Sequence, residues 1–182
     1  MCRYDISREA VTIAKVKLAT KDYVDLLVAD AENIPFKDNS FDVVFSADVV
    51  EHLCIPSKGI KEIVRIGRDK IVIATPNKLC PIDMSKVAQI LTHHNPPPIE
   101  KYLTRFQLRK MLQNAGLNPE DVQIFESSFF PLGWLLVHVK LQMSLKLFKI
   151  MLIIEDFLER TPLRYIAGVI VALGRKKDNK VI

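Results

Sequence analysis

The stretch VDLLVADAENIPFKDNSFDVVFSADVV, Val24–Val50, decides the fold. It holds two short apolar runs, VDLLVA over Val24–Ala29 and FDVVFS over Phe41–Ser46. Each has the length and β-branched content of a buried strand. Between them AENIPFKDNS is a polar loop marked by Pro35 and an Asp-Asn-Ser turn signal. Upstream, Cys2–Tyr4 reads as a strand ending at Asp5, and SREAVTIAKVKLA reads as a helix with Ser7 as N-cap. That helix is expected to turn Ala10, Ile13, Ala14 and Leu18 to one face. Downstream, Asp48–Leu53 begins a helix that Pro56 interrupts, Ser57–Arg65 resumes it, and KIVIAT over Lys70–Thr75 is a strand stopped by Pro76 and Asn77. Near-continuous Val and Ile runs separated by helices are what a parallel sheet covered on both faces requires. The fold class is α/β.

Beyond Asn77 the pattern loosens. Ile82–His94 reads as a helix closed by the prolines Pro96–Pro98. Thr104 caps a helix whose Gly116 sits at the C′ position. Asp121–Phe125 and Ile166–Leu173 read as the last two strands. Between them Leu132–Leu158 is rich in Leu, Ile, Met and Phe, interrupted by Lys140, Lys146, Lys149 and Glu155. No uninterrupted run approaches the ~20 apolar residues of a membrane span. On a helical wheel His138, Gln142, Lys146, Lys149 and Asp156 share one stripe and most of the rest is apolar. Two readings follow: helices packed on the core, or a basic amphipathic cover over a greasy substrate or a membrane surface.

Composition narrows the class. The 182 residues are 49% hydrophobic and 26% charged, the balance of a globular domain, which excludes a disordered chain, a collagen or a disulfide scaffold. Twenty-six Lys and Arg against 21 Asp and Glu give a net charge of +5. That excess suits an anionic partner without demanding one. The basic residues are dispersed, with no aromatic-interleaved basic patch, so nucleic acid is not favoured as partner. Three widely spaced cysteines, Cys2, Cys54 and Cys80, fit a reducing, cytoplasmic setting, and MCRYDISREA shows no apolar signal-peptide region.

The chemistry begins with Asp5 and Asp30, acids at the carboxyl ends of the first two strands. Ligands of open parallel sheets bind outside those ends, where a carboxylate can accept from both hydroxyls of a ribose. DIS at Asp5–Ser7, DAENIPFKDNSFDVVFSADVVEHL over Asp30–Leu53 and IVIATPN over Ile71–Asn77 resemble class I S-adenosylmethionine-dependent methyltransferases of the type-11 kind. YLTRFQLRKMLQNAGL over Tyr102–Leu117 and the closing strand before GRKK fit the same family more loosely. The resemblance implies a Rossmann-like, mostly parallel sheet with helices on both faces and an antiparallel last strand. It implies one domain over 1–182 carrying an apolar helical insertion or lid at 128–164.

It also implies the following roles. Asp5 binds the ribose hydroxyls and Ile6 packs on the adenine. Asp30 accepts from the adenine amino group and the Ala31 N–H meets a ring nitrogen. Ser46 and Ala47 line the methionine end of the cofactor, S-adenosylmethionine. The family's first strand and glycine-rich loop have no counterpart, because none of the six glycines forms a G-x-G. The chain is therefore expected to open in mid-fold, N-terminally truncated, as a fragment in preference to a degenerate relative. Loss of a central strand leaves sheet edges open.

Asp48, Glu51 and His52 share one helical face if the segment is α-helical. The spacing resembles a divalent-metal site of some O-methyltransferases, with His93 or His94 as a further ligand. One alternative is a capping box between Asp48 and Glu51, with His52 as a half-buried packing or hydrogen-bonding residue; another is His52 as a metal-free general base. Glu51 and His52 are the candidate catalytic residues. The expected reaction is methyl transfer to a small-molecule or lipid-like acceptor, with peripheral membrane contact through 132–158. The competing readings are a non-catalytic membrane-surface or partner-binding module and a nicotinamide-dependent oxidoreductase.

Overall fold

A computed structural model of the chain describes residues 2–5, 7–18, 24–81, 100–127 and 145–176. In chain order these form β1 (Cys2–Asp5), α1 (Arg8–Lys17), β2 (Asp25–Val28), β3 (Phe41–Ala47), a 3₁₀ turn (Val50–His52), α2 (Pro56–Ile66) and β4 (Gly67–Pro76). Then come α3 (Arg105–Asn114), β5 (Val122–Ser127), α4 (Leu145–Glu159) and β6 (Val169–Arg175), with 3₁₀ turns at Pro119–Asp121 and Pro162–Ile166.

The strands form two sheets. β1 and β2 pair in parallel, with Asp5 opposite Val28. The second sheet runs β3-β4-β6-β5; β3 and β4 are parallel, and β6 is antiparallel to both of its neighbours. The expected antiparallel last strand is thus present. Among the described residues β1 pairs only with β2, and β3 only with β4, so each has one open edge.

The core lies on one face of the four-stranded sheet. Val44, Ile71, Ile73, Ile170, Ala172 and Val122 point inward from its strands. Ile60, Ile63 and Val64 of α2 cover them, with Leu108 and Leu112 of α3, at the three-and-four spacing of an amphipathic helix. On the opposite face Val43, Phe45 and Phe125 remain exposed.

Local signals account for the helix ends. Ser7 Oγ accepts from the Ala10 N–H, and Thr104 with Gln107 forms a reciprocal capping box. Pro56 does not interrupt a helix; it opens α2 at the first turn, where its missing N–H is not needed. Gly116 follows α3 at φ +106°, a conformation that a Cβ would strain.

Four expectations are corrected. In α1 the buried side chain is Val11, while Ala10 and Ile13 are exposed, so the inward face is rotated by one position. β6 begins at Val169, because Pro162–Ile166 is a 3₁₀ turn. Asp48–Leu53 is not an α-helix, as set out below. The fourth concerns Leu145–Glu159, which is one helix whose Ile150, Leu152, Ile153, Ile154 and Phe157 are exposed rather than packed on the core. The Ile82–His94 helix, Leu132–Ser144 with His138 and Gln142, and residue Ile6 lie outside the described residues.

The loop after β2 is clamped to α2. The Arg65 guanidinium donates to the carbonyls of Ile34 and Phe36, to Asp38 and to both Glu62 oxygens, at 2.7–2.9 Å. Glu62 Oε2 also accepts from the Ile34 N–H at 3.0 Å. Nearby, Glu32 accepts from the Ile55 N–H and Asn33 from Lys58 Nζ. The twelve-residue loop 29–40 is thereby held in one place beside the ends of β2 and β3.

Candidate active site

The carboxyl ends of the parallel strands carry the predicted cofactor residues. Asp5 ends β1, and its carbonyl accepts from the Ala29 N–H at 2.9 Å. This fixes Asp30 just beyond the partner of Asp5. Asp5 Oδ1 accepts from the Ser7 N–H at 2.8 Å, an Asx turn that leads into α1. Asp30 makes the same kind of turn: Oδ1 accepts from the Glu32 N–H at 2.8 Å and Oδ2 from Asn33 Nδ2 at 2.9 Å. The Glu32 amide, then the Asn33 amide, hold the Asp30 carboxyl below its ordinary value, so it is ionised near neutral pH. Ala31, next in the turn, is buried.

Ser46 and Ala47 close β3. Ser46 is 7% exposed, and its Oγ has no hydrogen-bond partner among the described residues. A buried hydroxyl without a partner costs about 1–3 kcal/mol, so a polar ligand atom beside it would recover that loss. The polar groups therefore fit S-adenosylmethionine: two carboxylates for the hydroxyls and amino group of its nucleoside, and one orphan hydroxyl for its methionine end. For the amino-acid end of the cofactor, the described residues supply no glycine-rich turn.

After Ala47 the chain turns sharply. Asp48 adopts φ +51°, uncommon for a residue with a Cβ, and its N–H donates to Ala74 O. The following 3₁₀ turn has no side-chain cap, so the capping box between Asp48 and Glu51 does not form. Nor do Asp48, Glu51 and His52 line one α-helical face. Glu51 instead turns inward, 2% exposed, and accepts from Thr75 Oγ1 of β4 at 3.0 Å. His52 stays at the surface, with Nε2 4.0 Å from Glu51 Oε1. No cluster of three metal-ligating side chains occurs among the described residues. His93 and His94 lie outside them.

Burial pushes the Glu51 carboxyl above its ordinary value, and the negative charge of Asp48 adds to the shift. A carboxyl whose folded pKa is raised contributes stability below its ordinary value of about 4.3. That contribution is lost as pH rises through the raised value. Glu51→Gln keeps an oxygen for Thr75 and cannot ionise. It is expected to match the parent in acid and to gain stability relative to it as pH rises from about 4 toward 8. Urea unfolding midpoints across that range test this; parallel curves for the two proteins would refute it.

Sequence reasoning assigned no role to several residues of this edge. Thr75 and Asn77 are buried at the end of β4. Asn77 Nδ2 donates to the carbonyls of Tyr165 and Ala167, tying β4 to the entry of β6. Glu126, near the end of β5, is buried against Arg105 at 2.7 Å, and that guanidinium lies 4.9 Å from the Tyr165 ring centre. The TPN triplet was the visible signal for the first two. Only the fold pairs Arg105 with Glu126. A cleft of about 430 Å³ between α1 and β2, lined by Arg8, Thr12, Lys15 and Leu27, contains none of the candidate site residues.

The fold has solved counterparts. An S-adenosylmethionine-dependent methyltransferase from Thermotoga maritima superposes with a TM-score of 0.63, at 16% identity, over 96% of this chain and 72% of the other. One from Archaeoglobus fulgidus gives 0.58 at 18% identity, over 96% and 75%. The cyclase SpnF gives 0.61 at 16% identity, over 96% and 65%, so the fold also serves a protein named for other chemistry. The fold class is that of the class I S-adenosylmethionine-dependent methyltransferases.

The sequence agrees over its first part. Residues 1–73 match the family described as Methyltransferase domain. The ubiquinone/menaquinone biosynthesis C-methyltransferase UbiE of Geotalea daltonii is 37% identical over 65 residues, 34% of this chain and 28% of the relative. The demethylmenaquinone methyltransferase of Clavibacter sepedonicus is 34% identical over 62 residues, 34% of this chain and 25% of the relative. The matched stretch thus spans under a third of either relative.

Proposed function

We propose that this chain is the catalytic domain of an S-adenosylmethionine-dependent methyltransferase acting on a small, largely apolar acceptor of the quinone or lipid-like kind. In this reading 1–182 is one domain, 128–164 covers the acceptor, and the setting is cytoplasmic. The observation that carries it is the placement of Asp5 and Asp30 at the carboxyl ends of adjacent parallel strands, each locked by an Asx turn. The names of the two quinone-pathway relatives support the acceptor class.

When bound, the cofactor supplies a methyl group already activated on a sulfonium, so the protein's task is chiefly alignment. Asp5 would hold the ribose hydroxyls through Oδ2, since Oδ1 is engaged by Ser7. Asp30 offers the remaining lone pairs of its ionised carboxylate to the adenine amino group, and the Ala31 N–H completes that contact. Ser46 Oγ meets the methionine end. Ile6 and Ala47 complete the cofactor's surroundings. His52, at the surface beyond β3, would take the proton that the acceptor loses, at a ring nitrogen. Glu51 sits too deep to touch an acceptor; its bond to Thr75 holds the His52 turn against β4. Its part in catalysis is to position that turn.

Calorimetric titration of the folded chain with S-adenosylhomocysteine tests the reading. Binding tighter than ~100 μM, about −5.5 kcal/mol, is expected. A folded sample that shows no binding would overturn it in favour of a non-catalytic module.

A further inference from the structure

Helix α4 presents one face that the other described elements leave uncovered. At 100° per residue, Lys146, Lys149, Ile150, Ile153 and Phe157 fall on a single stripe. All five are exposed, with Ile150, Ile153 and Phe157 at 52%, 70% and 66%. Leu152 and Ile154 flank the stripe and are exposed too, and the helix's described packing is against the 3₁₀ turn Pro162–Ile166. That turn adds Leu163 and Ile166 to the exposed apolar surface.

Charge along the helix is uneven. The segment 145–154, LKLFKIMLII, carries two lysines and no acid. Acids follow only at Glu155, Asp156 and Glu159, and Asp156 is paired with Arg160 at 2.9 Å. Positive charge and large apolar side chains thus share one convex face. A 15-residue helix is roughly 22 Å long, short of the ~30 Å hydrocarbon core of a bilayer. No described helix is long and apolar enough to cross a membrane.

We propose that α4 is a docking surface for an anionic lipid membrane. It lies in the plane of the interface, with Ile150, Ile153 and Phe157 among the acyl chains and Lys146 and Lys149 extended to the headgroups. The lysines select the partner. A neutral apolar partner would bury the two ammonium groups without compensation, whereas anionic headgroups meet them. On the same stripe a second copy offers them only Asp156, which is already paired with Arg160. The proposal stands on this surface alone and does not need the methyl-transfer reading, since it is tested without cofactor or acceptor.

The test is co-flotation of the full chain with vesicles of phosphatidylcholine alone and of phosphatidylcholine with phosphatidylglycerol. The chain is expected to float with the anionic vesicles and to release as salt screens the charge. The double variant Ile153→Glu, Phe157→Glu is expected to abolish flotation. Lys146→Gln with Lys149→Gln is expected to weaken it about tenfold or more. These positions are exposed, so circular dichroism should show both variants folded. Absence of the parent from anionic vesicles would overturn the proposal, as would flotation unchanged in both variants. A concentration-dependent dimer lost in the Glu variant, without vesicle binding, would likewise overturn it and assign the face to a second copy.

Discussion

Arg65→Ala is expected to lower the unfolding free energy by about 2–3 kcal/mol. Arg65 is the one tie that reaches three parts of the loop after β2: the carbonyls of Ile34 and Phe36, and Asp38. It also holds Glu62, which in turn accepts from the Ile34 N–H. Removing it leaves Glu62 partly buried without its cation and frees two carbonyls to find water. The guanidinium is 27% exposed, which keeps the loss below that of a fully buried pair. Arg65→Lys should recover less than half, because a single ammonium cannot meet a carboxylate and two carbonyls in one plane. The Arg65 bond holds the Glu62 carboxyl below its ordinary value, ahead of the opposing effect of burial. Its contribution is therefore present above the ordinary Glu value and lost as pH falls through the depressed one. Urea midpoints of parent and Arg65→Ala should accordingly converge in acid. A loss under about 1 kcal/mol at neutral pH would show that Glu32 and Lys58 suffice to hold the loop.

Why the fold was so legible and the site only partly so follows from where each signal resides. β3 and β4 are runs of Val, Ile and Phe whose periodicity is local, and Ser7 and Thr104 cap helices through residues three positions away. Such features need no partner from elsewhere in the chain. Glu51 does: its inward turn depends on Thr75, 24 positions on, and on Asp48 adopting a left-handed backbone that releases the chain from helical spacing. A helical wheel over Asp48–His52 therefore grouped three side chains that the structure separates. The wheel also misplaced α1. Its Val11 is buried where Ile13 was expected, because α1 packs on β1 and β2 and only the side facing them is covered. For α4 the wheel grouped the lysines correctly, and only tertiary packing could reveal that the apolar residues beside them face outward.

The positions of Asp5 and Asp30 were legible for a different reason: strand ends are set by local sequence, so an acid that ends an apolar run is placed at the carboxyl edge of the sheet before any tertiary contact is known. Their proposed part in holding the cofactor is a separate inference. Asp5 is the sharpest test of that inference. Asp5→Asn retains an oxygen for the Ser7 N–H and thus the Asx turn, but puts an amide NH₂ where a carboxylate oxygen would accept from ribose. Losing one charge-assisted hydrogen bond of about 1.5–3 kcal/mol should weaken S-adenosylhomocysteine binding by roughly 10- to 100-fold. The melting temperature should stay within a few degrees of the parent. Asp5→Ala removes the turn as well and should lower both binding and stability. Asp42→Asn is the control, since Asp42 lies exposed at the amino end of β3, paired with Arg68 at 3.1 Å and away from the carboxyl ends of the strands. If Asp5→Asn and Asp42→Asn bind the nucleoside equally well, Asp5 serves only to start α1. The cofactor must then be held, if at all, by residues other than the carboxylates at the ends of β1 and β2.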